Sequence, residues 1–295
     1  MANLNRKTLV IGAAGHFAGL VVPALAAHGI TVRGLVRDND QGDKARENGA
    51  TEIAVGDLRD RASLDAALRG VDNAFYIAPV FQNDEAEMGL AFVEVAKSAG
   101  VRRIVFSSVI HPVISQLQNH IQKAPVEAAI FESGMEFAIL HPAVFYQNMV
   151  AAWPMIVKTG VVAEPFSKAA RISGVDYRDV AEVAAMVLAG DRLLNGTFEL
   201  CADAGLTRDE VAGVISQVLG RPIKAAAPEF DTWMSDTQLP HNEQQTQELA
   251  TMYAYYDRYG LLGNALTLQA ILGRAPRSLH QFVTDLASGI KTIAE

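Results

Sequence analysis

Apolar positions in the first half of the chain alternate between two rhythms: short β-branched runs, then longer segments with apolar residues at helical spacing. Residues 7–13 (KTLVIGA) read as a buried strand and 17–29 (FAGLVVPALAAHG) as a helix stopped by glycine; 30–38 (ITVRGLVRD) read as a second strand. The rhythm continues with an exposed helix at 43–50, a strand at 51–57, a helix at 61–71 and a strand at 72–80 that ends near Ala78. An amphipathic helix at 85–101, a strand at 102–109, a helix at 124–134 and a strand at 135–143 complete six strand units. Crossovers of this length put helices on both faces of a parallel sheet, so the pattern predicts a Rossmann-type, doubly wound α/β fold.

Beyond about Trp153 the rhythm loosens. A helix is expected over 175–190, a strand over 196–202 and a helix over 206–222, followed by an aromatic cluster at 252–260 (MYAYYDRYG). With no repeat and no long linker, the expected division is a dinucleotide-binding domain over 1–153 and a smaller α/β lobe over 154–295. That lobe is packed on the first part rather than independent, and some of its segments are free to return to the sheet.

Composition narrows the function classes. Half of the 295 residues are apolar and a fifth charged, which describes a globular chain. A net charge of −8 argues against broad binding of nucleic acid, whose affinity comes from clustered Lys and Arg. The single cysteine, Cys201, supports neither an intramolecular disulfide nor a thiolate metal cage, and is expected to be inert core. No apolar run approaches the roughly 20 residues of a membrane helix. With no leader pattern before the first strand, the expected setting is a reducing cytoplasm and the expected partner a small molecule or another protein; oligomeric state is left open.

The chemistry starts at Gly12-Ala13-Ala14-Gly15-His16-Phe17-Ala18-Gly19, where the first strand becomes the first helix. Gly12 suits the tight turn, Gly15 lets backbone amides approach a pyrophosphate, and a small residue at 18 lets the helix lie close to the sheet. Phosphates would then rest on the helix N-terminus, where unpaired amides favour negative charge. Ala14, His16 and Phe17 complete this candidate loop. Arg37 ends the second strand, where a cation would select a 2′-phosphate, and Lys44 is a second candidate. These favour NADP(H), while the neighbouring Asp38 keeps NAD(H) possible. Asp57 and Leu58 close the third strand as candidate adenine contacts.

The glycine loop, VRGLVRD (32–38), VGDLRD (55–60), RRIVFSSV (102–109), NHIQKAPVEAAIFESG (119–134), MEFAILHPAVFYQN (135–148) and LGRAPRSLHQF (272–282) together resemble the NmrA-like family of atypical short-chain dehydrogenases. That family stands near the isoflavone and pinoresinol reductases and the nucleoside-diphosphate-sugar epimerase homologues. The resemblance spans nearly the whole chain and implies a Rossmann domain for NAD(P) with a C-terminal lobe that closes a cleft over the nicotinamide. It places Ala78, Pro79, Ser107, Pro142 and Phe145 beside the cofactor, with Asn148 among the pocket-lining positions.

Catalysis departs from the ordinary short-chain pattern. Tyr-x-x-x-Lys would need a tyrosine four residues before Lys123, and Asn119 stands there. Ser108 matches a serine that polarises a carbonyl in related enzymes, and the resemblance to the isoflavone-reductase branch implies Lys123 as catalytic base. His120 is a candidate titratable group, or else an exposed residue at a helix start. Lys123 and Glu127, at i and i+4, are either a working pair or a solvated ion pair. His141, where relatives carry arginine before proline, either shapes the nicotinamide pocket or packs beside Pro142. The aromatics at 252–260 read as a packed lobe face, with Tyr253 or Tyr256 as alternative substrate contacts.

The leading expectation is an NAD(P)H-dependent oxidoreductase that reduces a small carbonyl or conjugated alkene, with Lys123, His120 and Ser108 as the catalytic set and no metal. The alternative is a non-catalytic NADP(H) sensor acting through a protein partner, favoured by the missing tyrosine and by the acidic stretch at 229–257, which has no Lys or Arg. A sugar-nucleotide epimerase is the third reading, weakened by that same missing tyrosine.

Overall fold

The structure, a computed structural model, describes residues 6–294. Its centre is a seven-stranded parallel sheet. The strands are β1 (Lys7–Ile11), β2 (Thr31–Val36), β3 (Glu52–Val55), β4 (Asn73–Ile77), β5 (Arg103–Ser107), β6 (Glu136–Pro142) and, from farther along, β10 (Gly196–Leu200). The order is β10-β6-β5-β4-β1-β2-β3, with every pair parallel. The direction of winding reverses between β1 and β4. A crevice at the carboxyl ends of these strands is where doubly wound sheets hold ligands.

Strict alternation along the strands explains the layers, because successive side chains point to opposite faces. Val10, Phe75, Val105, Ala138 and Leu140 join one core with α1 (Ala18–Ala27), Ala45 of α2 (Asn39–Glu47) and α8 (Tyr177–Ala189). Leu9, Ile11, Tyr76, Ile104, Phe106 and Ile139 join a second core with α3 (Arg61–Leu68), α4 (Glu85–Ser98) and α6 (Ala124–Glu132). Between α4 and α6 lies the single-turn α5 (Gln118–Ile121). Burial on both faces is why these strands read as continuous apolar runs, and each fully buried aromatic such as Phe75 contributes about 1.5–3 kcal/mol.

The lobe has its own core of Ile156, Val162, Ile215, Ile223, Phe282 and Val283, reached by Tyr146. It comprises α7 (Met149–Thr159), β8 (Val161–Ala163) paired with β11 (Lys224–Ala226), α9 (Arg208–Leu219) and α13 (Leu279–Ala287). The remaining elements are the short pair β7 (Val144–Phe145) and β9 (Gly174–Val175), α10 (Phe230–Thr237), α11 (Glu243–Tyr259) and α12 (Leu266–Leu272). The chain therefore crosses into the lobe at α7, returns to the sheet with α8 and β10, and leaves again.

Polar clamps fix these returns. Arg103, fully buried, gives Nη1 to the carbonyls of Val187 and Gly190, each at 2.6 Å, and Nη2 to Asp191 at 2.6 Å, tying β5 to the end of α8. The LGRAPRSLHQF segment earns its pattern here. Arg274 reaches Asp179 at 2.8 Å and Glu182 at 2.5 Å, Arg277 adds a further pairing to Asp179, and Ser278 and Gln281 form a capping box that starts α13. No helix among the described residues is long and apolar enough to cross a membrane.

Candidate functional site

The glycine loop leaves β1 at Gly12, whose φ of +68° is a left-handed value that glycine adopts without a Cβ penalty. Gly15 N–H donates to the Gly12 carbonyl at 2.7 Å, and a Cβ on Gly15 would lie 3.1 Å from that same oxygen. Gly12, Gly15 and His16 are exposed and Ala14 half-buried, and no side chain caps the start of α1. Bare backbone in front of an uncapped ten-residue helix is a cradle that a side chain at Gly15 would fill, and it fits a dinucleotide pyrophosphate. Ala18 is buried as expected, but the tightest approach is at Gly19. A Cβ there would stand 2.2 Å from that of Ala294, because the C-terminal segment crosses the helix start. His16 joins this crossing: its carbonyl accepts from Ala294 N–H at 3.3 Å and its Nδ1 faces the Ala294 carbonyl at 3.1 Å.

Arg37 is exposed at the end of β2, and its described hydrogen bond uses only its backbone N–H, which donates to Gln41 Oε1. Asp38 is spent differently, since its carboxylate accepts the Gln41 N–H at 2.8 Å as the N-cap of α2. A capping carboxylate is a poorer ribose acceptor, which shifts the balance at this edge toward Arg37. Lys44 lies in the last turn of α2, about 9 Å along the axis from the Asp38 cap, and so stands back from Arg37. Asp57 is exposed, with Oδ1 taking the Arg59 N–H at 2.8 Å, and Leu58 leans against the α3 side of the core.

At the ends of β4, β5 and β6 the walls of the crevice are aromatic and strained. Ala78 is half-buried and Pro79 exposed. Phe81 and His111 have φ of 59° and 53°, unusual for side chains of this bulk. Both are tethered to the lobe: the Phe81 carbonyl accepts from Gln245 Nε2 at 3.3 Å, and His111 Nε2 donates to the Leu262 carbonyl at 2.7 Å. Phe145 packs edge-on against Phe17, 4.7 Å between centroids, and against Tyr177, also 4.7 Å. The Tyr177 phenol donates to Ser107 Oγ at 3.0 Å, so fully buried Ser107 braces the aromatic floor beside Pro142.

Three expectations about the catalytic set require correction. His120 is neither exposed nor a neutral-pH acid. It is 1 % exposed, its Nδ1 donates to the His111 carbonyl at 3.2 Å, and burial pushes its pKa down to about 4. Desolvation penalises the imidazolium, so the ring is neutral in the working range. Lys123 does not pair with Glu127. It is the N-cap of α6, and its ammonium donates to Glu85 Oε1 on α4, at 2.5 Å, and to the Asn119 carbonyl at 2.8 Å. Glu127 instead accepts from Ser108 Oγ at 2.5 Å and from His141 Nε2 at 3.0 Å, so His141 is not merely packed against Pro142. Glu85, 1 % exposed, has its pKa raised by burial, opposed by Lys123 and reinforced by Glu248. Sequence spacing gave no hint of Glu85; Tyr177 was visible only as part of a helix start.

The His120 shift carries a pH prediction. A folded pKa near 4, against an ordinary 6.5, means the stability from the neutral ring is present above about pH 6.5 and is lost as pH falls toward 4. The loss is on the order of 3 kcal/mol. Urea unfolding of His120→Gln is expected to show a smaller drop in stability between pH 7 and pH 4 than wild type. Parallel curves for the two proteins would remove His120 as the titrating group.

Cys201 is fully buried beside Gly263, and desolvation pushes its thiol up to about 12, which keeps it an unreactive thiol. Tyr253 and Tyr256 are 9 % and 6 % exposed, Tyr253 stacking on Phe166 and meeting Trp233 edge-on and Tyr256 meeting Phe166 edge-on, so the aromatic face of α11 is buried in the core that continues to α8 and the sheet.

Residues 5–288 match the model of the NmrA-like family. An NAD(P)H azoreductase of Xenophilus azovorans is 30% identical over 278 residues, covering 93% of this chain and 96% of that one. Quinone oxidoreductase 2 of Escherichia coli is 24% identical over 286 residues, 94% of this chain and 97% of that one. Triphenylmethane reductase of Citrobacter sp., solved with NADP(H), superimposes with a TM-score of 0.81 at 21% identity, over 96% of this chain and 99% of that one. With the glycine loop, the seven-stranded parallel sheet and the α/β lobe all in place, this chain belongs to the NmrA-like family.

Proposed function

We propose that the chain is an NAD(P)H-dependent reductase of small, electron-poor acceptors, taking NADP(H) in preference to NAD(H). The acceptor class is a quinone, an azo compound or a conjugated carbonyl, in line with the azoreductase and the quinone oxidoreductase it resembles. The observation that carries the reading is convergence. The uncapped glycine loop, the Ser108 hydroxyl and the Lys123 ammonium belong to the carboxyl edge of one sheet, and Lys123 stands one helical turn before the Glu127 that binds Ser108.

Gly12, Ala14, Gly15 and His16 would hold the pyrophosphate, Arg37 a 2′-phosphate, and Phe17, Phe145 and Pro142 the nicotinamide end. When bound, a reduced nicotinamide supplies the hydride. The residues of the chain do the remaining work. An ammonium has three N–H donors, and Glu85 and the Asn119 carbonyl take two of Lys123's, leaving one to face a ligand oxygen. Ser108, 4 % exposed, presents a hydroxyl in a dry setting where hydrogen bonds to developing charge are strong. The Phe17, Phe145 and Tyr177 rings keep water from the reacting face.

Steady-state NADPH oxidation with 1,4-benzoquinone, an azo dye and an enone tests the reading. Tight NADPH binding without turnover of any of them would instead mark a binding protein that signals through a protein partner. For cofactor choice, Arg37→Ala is expected to weaken NADPH binding about 10- to 100-fold, the loss of one charge-assisted contact, and to leave NADH binding unchanged. Equal wild-type affinity for the two nucleotides would sink the preference.

A further inference from the structure

Glu127 is buried on α6, and its Oε1 accepts two hydrogen bonds: from Ser108 Oγ at 2.5 Å, just past β5, and from His141 Nε2 at 3.0 Å, near the end of β6. The three residues come from three elements, and sheet alternation puts His141 on the same face as Ile139, the face that α6 covers. The His141 side chain is 17% exposed and that of Glu127 10%, so the chain runs from a rim imidazole, through an enclosed carboxylate, to an enclosed hydroxyl. Asn119 stands where Tyr-x-x-x-Lys enzymes carry the phenol that supplies the proton, and the Lys123 ammonium that could supply it is held by Glu85. A serine hydroxyl alone is too weak an acid to do so, whereas imidazole exchanges protons near neutral pH.

We propose that His141 and Glu127 are positioning residues of a proton relay that recharges Ser108, a role that rests on the reading of Ser108 as the group touching the acceptor. Two-electron reduction of a carbonyl by a reduced nicotinamide puts one hydrogen with its electron pair on the acceptor and leaves one negative charge on oxygen. Protonated His141 gives its Nε2 proton to Glu127 and ends neutral. The Ser108 hydroxyl then turns from Glu127 to that oxygen and gives up its proton there, Glu127 passes its proton to Ser108 Oγ, and water reprotonates the ring. One proton is consumed for each acceptor reduced, and Glu127 ends as it began. The charged group bonded to the ring is Glu127 from α6; Glu199, at the paired register position on β10, has its carboxylate 3.8 Å from His111 Nδ1. Lys123, one turn before Glu127 on α6, is held by Glu85.

The test measures kcat and KM for 1,4-benzoquinone with saturating NADPH. His141→Asn and Glu127→Gln are expected to lower kcat about a hundredfold, with KM little changed. In cofactor-free protein, the His141 Nε2 proton is expected as a slowly exchanging downfield NMR signal that Glu127→Gln abolishes. A wild-type kcat in His141→Asn would overturn the relay. If Ser108→Ala loses turnover while His141→Asn keeps it, only the relay is wrong. If Ser108→Ala keeps full turnover, or wild type reduces no acceptor, the relay falls together with the reading beneath it.

Discussion

Lys123→Met is expected to lose turnover by a hundredfold or more and, separately, to destabilise the fold by about 3–5 kcal/mol. The two losses have different causes. Lys123 Nζ is 2.5 Å from Glu85 Oε1, and their side chains are 8% and 1% exposed. Removing one partner of a buried pair leaves the other charge uncompensated, which is the origin of the stability loss. Glu85 is poorly placed to bear it, because burial and Glu248 already push its pKa up and Lys123 is what opposes them. Glu85 Oε2 has no hydrogen-bond partner among the described residues, so Lys123 is the side chain that holds this carboxylate. The double variant Lys123→Met/Glu85→Gln removes both charges and is expected to recover most of the stability, since a neutral amide asks far less of its surroundings. It should not recover turnover, because the third ammonium proton is still missing. Urea unfolding and NADPH oxidation on the two variants separate the effects. If the double variant regained activity together with stability, Lys123 would be a structural residue.

The same pair shows where sequence reading stops. Everything set by local periodicity was legible: the strands, the glycine loop and the glycine helix stops are written in alternation and in residues with special backbone freedom. Arg37 and Asp38 were legible as a pair of rivals, and the structure adds that Asp38 caps α2 through the Gln41 N–H. Lys123 and Glu127 were misread because i, i+4 spacing permits a contact without choosing it. The turn between them is intact, with Glu127 N–H donating to the Lys123 carbonyl at 3.0 Å, but each side chain is taken by a partner on another element: Lys123 by Glu85, 38 positions upstream on α4, and Glu127 by Ser108 and His141. His120 was misread for a related reason. Its burial depends on the left-handed turn at His111, whose carbonyl meets it across a loop, and nothing near His120 in sequence announces that. Partners on other elements carry no spacing rule, so the glycine loop was readable and the hydrogen-bond partners of Lys123, Glu127 and His120 were not.

Gly15→Val is expected to weaken NADPH binding by a hundredfold or more while the protein remains folded. A Cβ at Gly15 would lie 3.1 Å from the Gly12 carbonyl oxygen, and that oxygen cannot retreat, because it accepts the Gly15 N–H at 2.7 Å in closing the turn. Valine adds two methyl groups to an exposed surface where phosphate oxygens would approach the amides. Hydrogen bonds to a charged group contribute about 1.5–3 kcal/mol each, so blocking two of them corresponds to a hundredfold or more in affinity. Because residue 15 is exposed and its φ is not in the left-handed region, the fold itself loses little. Gly12→Val makes the useful contrast. Gly12 sits at φ +68°, so a β-branched residue there carries backbone strain of about 1–2 kcal/mol and is expected to lower stability as well as affinity. Fluorescence titration with NADPH and thermal unfolding of both variants read the two quantities independently. A Gly15→Val protein that binds NADPH as tightly as wild type would move the dinucleotide away from this loop, and with it the assignment of α1 as the phosphate-binding helix.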